Sequence, residues 1–260
     1  MRQLISEILR IAELEIPRNK DILIKLASKA YEYKDLVVRP SEVQMPPDYV
    51  AIDSGYITIR YRYLDLTIIV LVILKNNINI KTIILNRKKD ENLNINFYAR
   101  QQEIRYAQEE GGYVLLDGPL TPYVADPTGL MVGVSKDPAA ARYWRGLGGE
   151  AGEWFREISR YVSELYGAEL LLRGEPPGSM LRPIRVGKFL GTYIKGDSVF
   201  YVEFPEYIPI EVVASFFKFG YPIKLRLAHK YAKISSEYLR TVKIMLSRFL
   251  ELSNKYRDFL

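Results

Sequence analysis

The sequence predicts an α/β protein built on a mixed β-sheet, and three observations carry that expectation. Between residues 48 and 86 come three apolar, β-branched runs, 48–59, 64–74 and 78–86, joined by short polar links such as Lys75-Asn76-Asn77, as in consecutive antiparallel strands. After the charged loop RKKDEN at 87–92, the stretch NFYARQQEIRYAQEE is rich in helix formers and stops at Gly111 and Gly112. A fourth strand, YVLLD, then ends on Asp117, much as the first strand ends its apolar run Val50-Ala51-Ile52 on Asp53. Three strands, a helix and a strand, with an aspartate on the first and the fourth strand, form the ribonuclease H-like pattern of a mixed sheet flanked by helices.

The remaining elements fit around that core. Leu4, Ile5, Ile8, Leu9 and Ala12 recur at helical spacing, and Pro17 stops this helix before a second amphipathic one around 21–33, so residues 1–36 read as a helical arm. Downstream, LMVGVSK at 130–136 reads as a short strand, Glu150 to Tyr166 as a helix, and 181–204 as two or three strands broken by Gly191 and Gly196. A last helix starts at Ser235 or Ser236 and runs to about Tyr256, with Leu239, Val242, Leu246 and Phe249 on one face and basic residues opposite. No internal repeat or low-complexity linker interrupts the chain. The expectation is a single domain over 1–260, with the catalytic core opening at 48–135 and closing through 136–260 and the basic C-terminal helix.

Composition narrows the chemistry. Hydrophobic residues are 48% and charged residues 26%, ordinary values for a soluble globular protein. The longest apolar run, LTIIVLVIL at 66–74, is too short to span a bilayer as a helix, and Glu7, Glu13 and Glu15 interrupt any secretory apolar region, so the expectation is a cytoplasmic protein with no membrane segment. With no cysteine, a metal must be held by oxygen ligands or by the single histidine, His229. The formal charge of +6 admits an anionic partner. Its distribution says more, since eight Lys or Arg face one acid, Glu237, between Lys218 and Arg248.

In this type of sheet the first and fourth strands lie side by side, so Asp53 and Asp117 can converge although they stand 64 positions apart in the sequence. Glu103, on the intervening helix, can join them. Carboxylates held that close raise one another's pKa unless a cation neutralises them, and hard oxygen ligands suit Mn²⁺ or Mg²⁺. Such an ion activates water and stabilises the leaving oxygen of a phosphodiester. Each residue also has a bland reading. Asp-Ser-Gly and Asp-Gly-Pro are good turn chemistry, a helix glutamate is by default solvated or paired with Arg100 or Arg105, and Glu109 and Glu110 compete with Glu103 for the helix position.

Taken together and in order, AIDSGY, the helix with Glu103, LLDGPL, VGVSK and GYPIKLRLAHKYAKIS at 220–235, with Tyr221 eight residues before His229, resemble the NurA nuclease family over most of the chain. The resemblance implies a ribonuclease H-like homodimer that uses Mn²⁺ to degrade DNA from 5′ ends and to cut single strands, working with a HerA-type hexameric ATPase in resecting broken ends. It implies Asp53 and Asp117 as metal ligands, Glu103 as a third carboxylate ligand, and Tyr221 and His229 completing the site, His229 as a further ligand. The first motif reads Asp-Ser-Gly where the family more often shows Asp-Gly-Ser. Lys136 after VGVSK, and Lys224, Arg226, Lys230 and Lys233 in the basic stripe, are the candidate DNA contacts. The rival readings are a non-catalytic DNA-end or translocase adaptor on the same fold, and an actin-like phosphotransferase, for which a second set of glycine-rich phosphate loops is missing.

Overall fold

A computed structural model describes residues 16, 19–41, 43–60, 65–86, 93–136 and 142–250, with side chains as far as residue 246. In chain order, helix α1 (19–28) leads into a 3-10 segment, Ala30–Leu36, and strand β1 (Val37–Val38). Strands β2 (Tyr49–Arg60), β3 (Asp65–Leu74) and β4 (Ile78–Asn86) precede helix α2 (Ile95–Glu109), then β5 (Tyr113–Asp117) and β6 (Leu130–Ser135). Helices α3 (Tyr143–Leu147), α4 (Gly149–Tyr161) and α5 (Glu164–Leu172) follow. The chain continues through β7 (Met180–Leu181), β8 (Ile184–Val186), β9 (Phe189–Lys195), β10 (Val199–Phe204), α6 (Ile210–Ser215), α7 (Ile223–Ala232) and α8 (Ser236–Leu250). No described helix is long and apolar enough to cross a membrane.

The three β-branched runs form strands almost where the sequence places them. The expected first helix of the arm and the 87–92 loop lie outside the described residues. The expected helix at 21–33 ends by Ser28 and gives way to the 3-10 segment, and the helix expected at 150–166 divides at Val162 and Ser163 into α4 and α5. Residues 181–204 hold three whole strands, β8, β9 and β10, after the end of β7, and Gly196 falls in the expected break between β9 and β10. One break falls at Gly187, which takes a left-handed φ of 60° between β8 and β9, whereas Gly191 lies inside β9.

The chain groups into two compact units, Met1–Pro46 with Ser135–Gly220 and Pro47–Val134 with Tyr221–Leu260. In the first, the strand order is β1-β7-β9-β10, with β8 also paired to β9. Its core joins Tyr143, Trp154 and Phe155 to Tyr193 and Tyr201. Glu164 can be buried there because it accepts the backbone N–H groups of Arg142, Tyr143 and Trp144 at the start of α3, and the Tyr193 hydroxyl besides. Glu203, fully buried, pairs with Arg142 at 3.0 Å.

The second unit carries the strand order β6-β5-β2-β3-β4. β2, β3 and β4 form the expected antiparallel meander, and β5 runs parallel to β2 and to β6. Successive side chains of a strand point to opposite faces. Ser54 of β2 reaches Glu103 of α2, while the backbone at Gly55 abuts Ala232 of α7, so α2 and α7 lie on opposite faces of this sheet. α8 covers the same face as α7, its Leu239, Val242 and Leu246 packing on Ile59 and Ile68. Ser235 caps α8, its hydroxyl accepting the Tyr238 N–H at 3.1 Å.

Candidate metal centre

The parallel register of β2 with β5 ends on the pair Ile52↔Leu116. The next residue on each strand is an aspartate, so the two carboxyl groups emerge side by side where the buried apolar runs stop. That placement resolves why strands made for burial end on acids. β2 itself does not turn at Asp53 but continues to Arg60, so Asp-Ser-Gly is strand here and its turn reading fails. At the other aspartate the chain does bend: Gly118 takes a left-handed φ of 108°, which costs glycine little, and its N–H donates to the Val134 carbonyl at 2.7 Å.

His229 arrives from α7. Its Nδ1 lies 2.9 Å from Oδ2 of Asp53 and 2.9 Å from Oδ2 of Asp117. One ligand atom from each of the three residues falls within 4.8 Å of the others, close enough together to hold a metal ion. Asp53 is buried and its Oδ1 accepts the Ser54 N–H at 2.8 Å. Burial, reinforced by the nearby Asp117 and Glu103 charges, pushes its carboxyl up to about 8. A carboxylate that resists ionisation for those reasons becomes easy to ionise once a cation sits beside it. Two carboxylate oxygens and one imidazole nitrogen suit a divalent first-row ion such as Mn²⁺, so the residues present fit the metal that the resemblance implies.

Glu103 occupies a different position. It is buried on the α2 face, where it accepts from the Ser54 hydroxyl and forms a salt bridge with Arg100. Burial pushes its carboxyl up against the opposing pull of Arg100 and Ser54. It lines the same groove as Asp53 and Asp117 but stands outside their three-atom cluster with His229. Of the competing glutamates, Glu109 is exposed and Glu110 pairs with Lys75 at 3.3 Å. Arg105 does not hold Glu103; its guanidinium meets the Tyr106 hydroxyl.

The groove has a volume of about 310 Å³, with Tyr56, Asn96, Arg100, Pro119 and Tyr123 among its walls. Arg100 is the element that the sequence undervalues. Beyond Glu103, its guanidinium donates to the carbonyl oxygens of Asp117, Gly118 and Pro119 at 2.9, 2.8 and 2.7 Å, fixing the bend that presents Asp117. An arginine three residues before a glutamate on a helix looks like an ordinary surface pair, and only the tertiary bonds distinguish it.

The fold that carries these residues has solved counterparts. The NurA nuclease from Sulfolobus solfataricus superposes with a TM-score of 0.59 over 98% of this chain and 99% of its own length, at 14% sequence identity. A second NurA crystal structure superposes with a TM-score of 0.53 over 91% of this chain and 98% of its own, at 10% identity. The chain has the NurA nuclease fold. No protein-family model and no curated protein sequence matches it.

Within this NurA fold the other expected residues are scattered. Tyr221 is buried, with the Arg226 guanidinium 5.8 Å from its ring centre, and is not among the described residues lining the groove. Lys224 is committed locally: its ammonium bonds Asp48 at 2.7 Å and the Tyr49 carbonyl at 2.9 Å. Arg226, Lys230 and Lys233 are exposed on and just after α7, the helix that carries His229, and Lys136 is exposed after β6.

Proposed function

We propose that this protein is a metal-dependent deoxyribonuclease, and the convergence of His229 with Asp53 and Asp117 on a single point carries that reading. Those three residues would hold the ion, which supplies Lewis-acid activation of water and stabilisation of the leaving phosphate oxygen when bound. Glu103, kept beside the groove by Arg100 and Ser54, would orient a water there or accept its proton. The exposed cations of α7, Arg226, Lys230 and Lys233, would guide the phosphodiester backbone toward the centre.

The finer reading follows the NurA resemblance: Mn²⁺ as the ion with Mg²⁺ as substitute, 5′-to-3′ degradation of duplex ends, cleavage of single strands, and action in the cytoplasm as a homodimer with a HerA-type hexameric ATPase in end resection. Tyr221, buried behind α7, would act by setting that helix rather than by touching DNA. A non-catalytic adaptor is the weaker reading, because like charges crowded at a buried site cost folding free energy that a relic site gains nothing by keeping.

The deciding experiment incubates 5′-labelled duplex and single-stranded DNA with wild type and with Asp53→Ala, each with Mn²⁺ and with EDTA. Cleavage confined to wild type with Mn²⁺ is expected. Equal cleavage by folded Asp53→Ala, or none by wild type under any divalent ion, would falsify the nuclease reading.

A further inference from the structure

Lys81 lies in the middle of β4, at the end of the strand order, where a charge guards an exposed edge against pairing. Its surroundings exceed what a guard needs. The ammonium sits 3.8 Å from the centre of the Tyr106 ring, and the Arg105 guanidinium carbon sits 4.9 Å from the same centre. Arg105 also donates to the Tyr106 hydroxyl at 3.2 Å. Two cations thus converge on one phenol. Glu109 stands one turn beyond Arg105 on α2, yet among the described residues neither Arg105 nor Lys81 has an acidic partner.

Bringing two positive charges together without a counter-charge costs Coulomb energy, which an anion between them removes. The phenol suits that anion too. Its oxygen accepts from Arg105, so its own hydrogen is left to donate. Lys81 first, and Arg105 second, hold the phenol below the usual tyrosine range, which strengthens it as a donor. An ammonium, a guanidinium and a phenol O–H are the donors that proteins present to backbone phosphates.

Sheet register relates this cluster to the metal centre. Ser54, which bonds Glu103, pairs with Leu71, and Leu71 pairs with Lys81, so the three form one row on the α2 face. Two strand spacings of about 4.8 Å separate the ends of that row, about 10 Å in all. A stacked strand rises about 3.4 Å per nucleotide, so the row spans about three nucleotides. We propose that Lys81, Arg105 and Tyr106 clasp one backbone phosphate of the DNA strand, about three nucleotides from the point of cleavage. The site takes its ligand from the nuclease reading. It adds a contact on the α2 face, across the sheet from the cations of α7.

The test measures binding of a single-stranded oligonucleotide by anisotropy with Ca²⁺, where no cleavage is needed. The nuclease reading fails separately, by loss of Mn²⁺-dependent cleavage in wild type. Lys81→Gln with Arg105→Gln keeps both side-chain stems and removes both charges. It is expected to weaken binding about tenfold and to lower the slope of log affinity against log salt by about 0.7, the share of one phosphate on a single strand. A neutral methylphosphonate moved along the oligonucleotide should reveal one linkage at which wild type loses affinity and the double variant does not. Calorimetric Mn²⁺ affinity, which needs the folded centre, should match wild type. An unchanged salt slope, as a docking point for an acidic protein segment would give, overturns the assignment. So does the absence of any such linkage, or a comparable fall in Mn²⁺ affinity, which would trace the lost binding to the metal centre.

Discussion

Gly55 of β2 lies so close beneath Ala232 of α7 that an added β-carbon would come within 2.2 Å of the Ala232 carbonyl oxygen. Strand and helix therefore touch backbone to backbone, two residues from Asp53 and three from His229. This contact gives a physical reason for the Asp-Ser-Gly order of the first motif. The serine, one step earlier on the opposite face, reaches Glu103, and the glycine admits the helix.

Gly55→Ala is accordingly expected to push α7 off the sheet. The clash involves a carbonyl that no rotamer change can move, so the cost should fall at the upper end of the about 1–3 kcal/mol typical of overpacking. His229 moves with the helix, and Mn²⁺ affinity should drop about tenfold for each roughly 1.4 kcal/mol of lost ligation. Thermal denaturation and a calorimetric Mn²⁺ titration check both effects; unchanged values in both would remove the contact from the account of the site.

The pH dependence follows from Asp53. Its carboxyl stays protonated in the folded protein up to about 8, whereas the unfolded chain releases that proton near 3.8. Between those values the folded state binds more protons, so stability of the metal-free protein should fall as pH rises, by about 1.4 kcal/mol per unit for this one group, and level off above about 8. Metal binding must expel the same proton, so Mn²⁺ affinity should rise with pH over the same window and reach a plateau above it. Asp53→Asn removes the titrating group, and its denaturant midpoint should be higher than wild type at pH 8 and flatter from pH 5 to 8. A wild-type affinity for Mn²⁺ that stays constant from pH 5.5 to 8 would contradict this coupling.

Arg100→Met tests the bend at Asp117. The substitution leaves Glu103 buried without its counter-charge and withdraws the donor from three carbonyl oxygens, an outcome that costs about 3–5 kcal/mol in comparable buried pairs. The double change Arg100→Met with Glu103→Gln should recover part of that loss, because the orphaned charge is gone while the carbonyls stay unsatisfied. Urea unfolding of wild type and the two variants gives the comparison. Equal stability of the single and double variants would mean that the carbonyl bonds, not the ion pair, dominate.

Much of this architecture was legible because it rests on local pattern. β-Branched runs with polar links can hardly be anything but strands, and their edges at 48–59, 64–74 and 78–86 fall within one residue of β2, β3 and β4. The pairing of Asp53 with Asp117 was legible through topology, since in the expected ribonuclease H-like sheet the first and fourth strands lie side by side, as β2 and β5 do. What stayed hidden depends on partners far along the chain. Lys224 reads as one cation in a basic stripe, yet its ammonium is held by Asp48, 176 residues earlier, and Arg100 reads as a surface pair until the chain folds its carbonyl partners over it. The helix break at Val162 carries no proline or glycine to announce it.

That contrast between lysines supports a last prediction, on DNA binding. A lysine that contacts phosphate contributes about 1 to the slope of log affinity against log salt, through counterion release. Lys230 and Lys233 are exposed at the end of α7, so Lys230→Ala with Lys233→Ala should lower the slope by about 2 while leaving thermal stability within experimental scatter. Lys224 is already paired with Asp48, and its ammonium holds that carboxyl below the usual range, so it is less available to phosphate. Lys224→Ala should leave the salt slope nearly unchanged and instead loosen the junction between α7 and the start of β2, lowering the thermal midpoint slightly. Measured by fluorescence anisotropy with Ca²⁺ in place of Mn²⁺ to suppress cleavage, a slope that falls as much for Lys224→Ala as for the double variant would place the phosphate track at the start of α7 and not at its end.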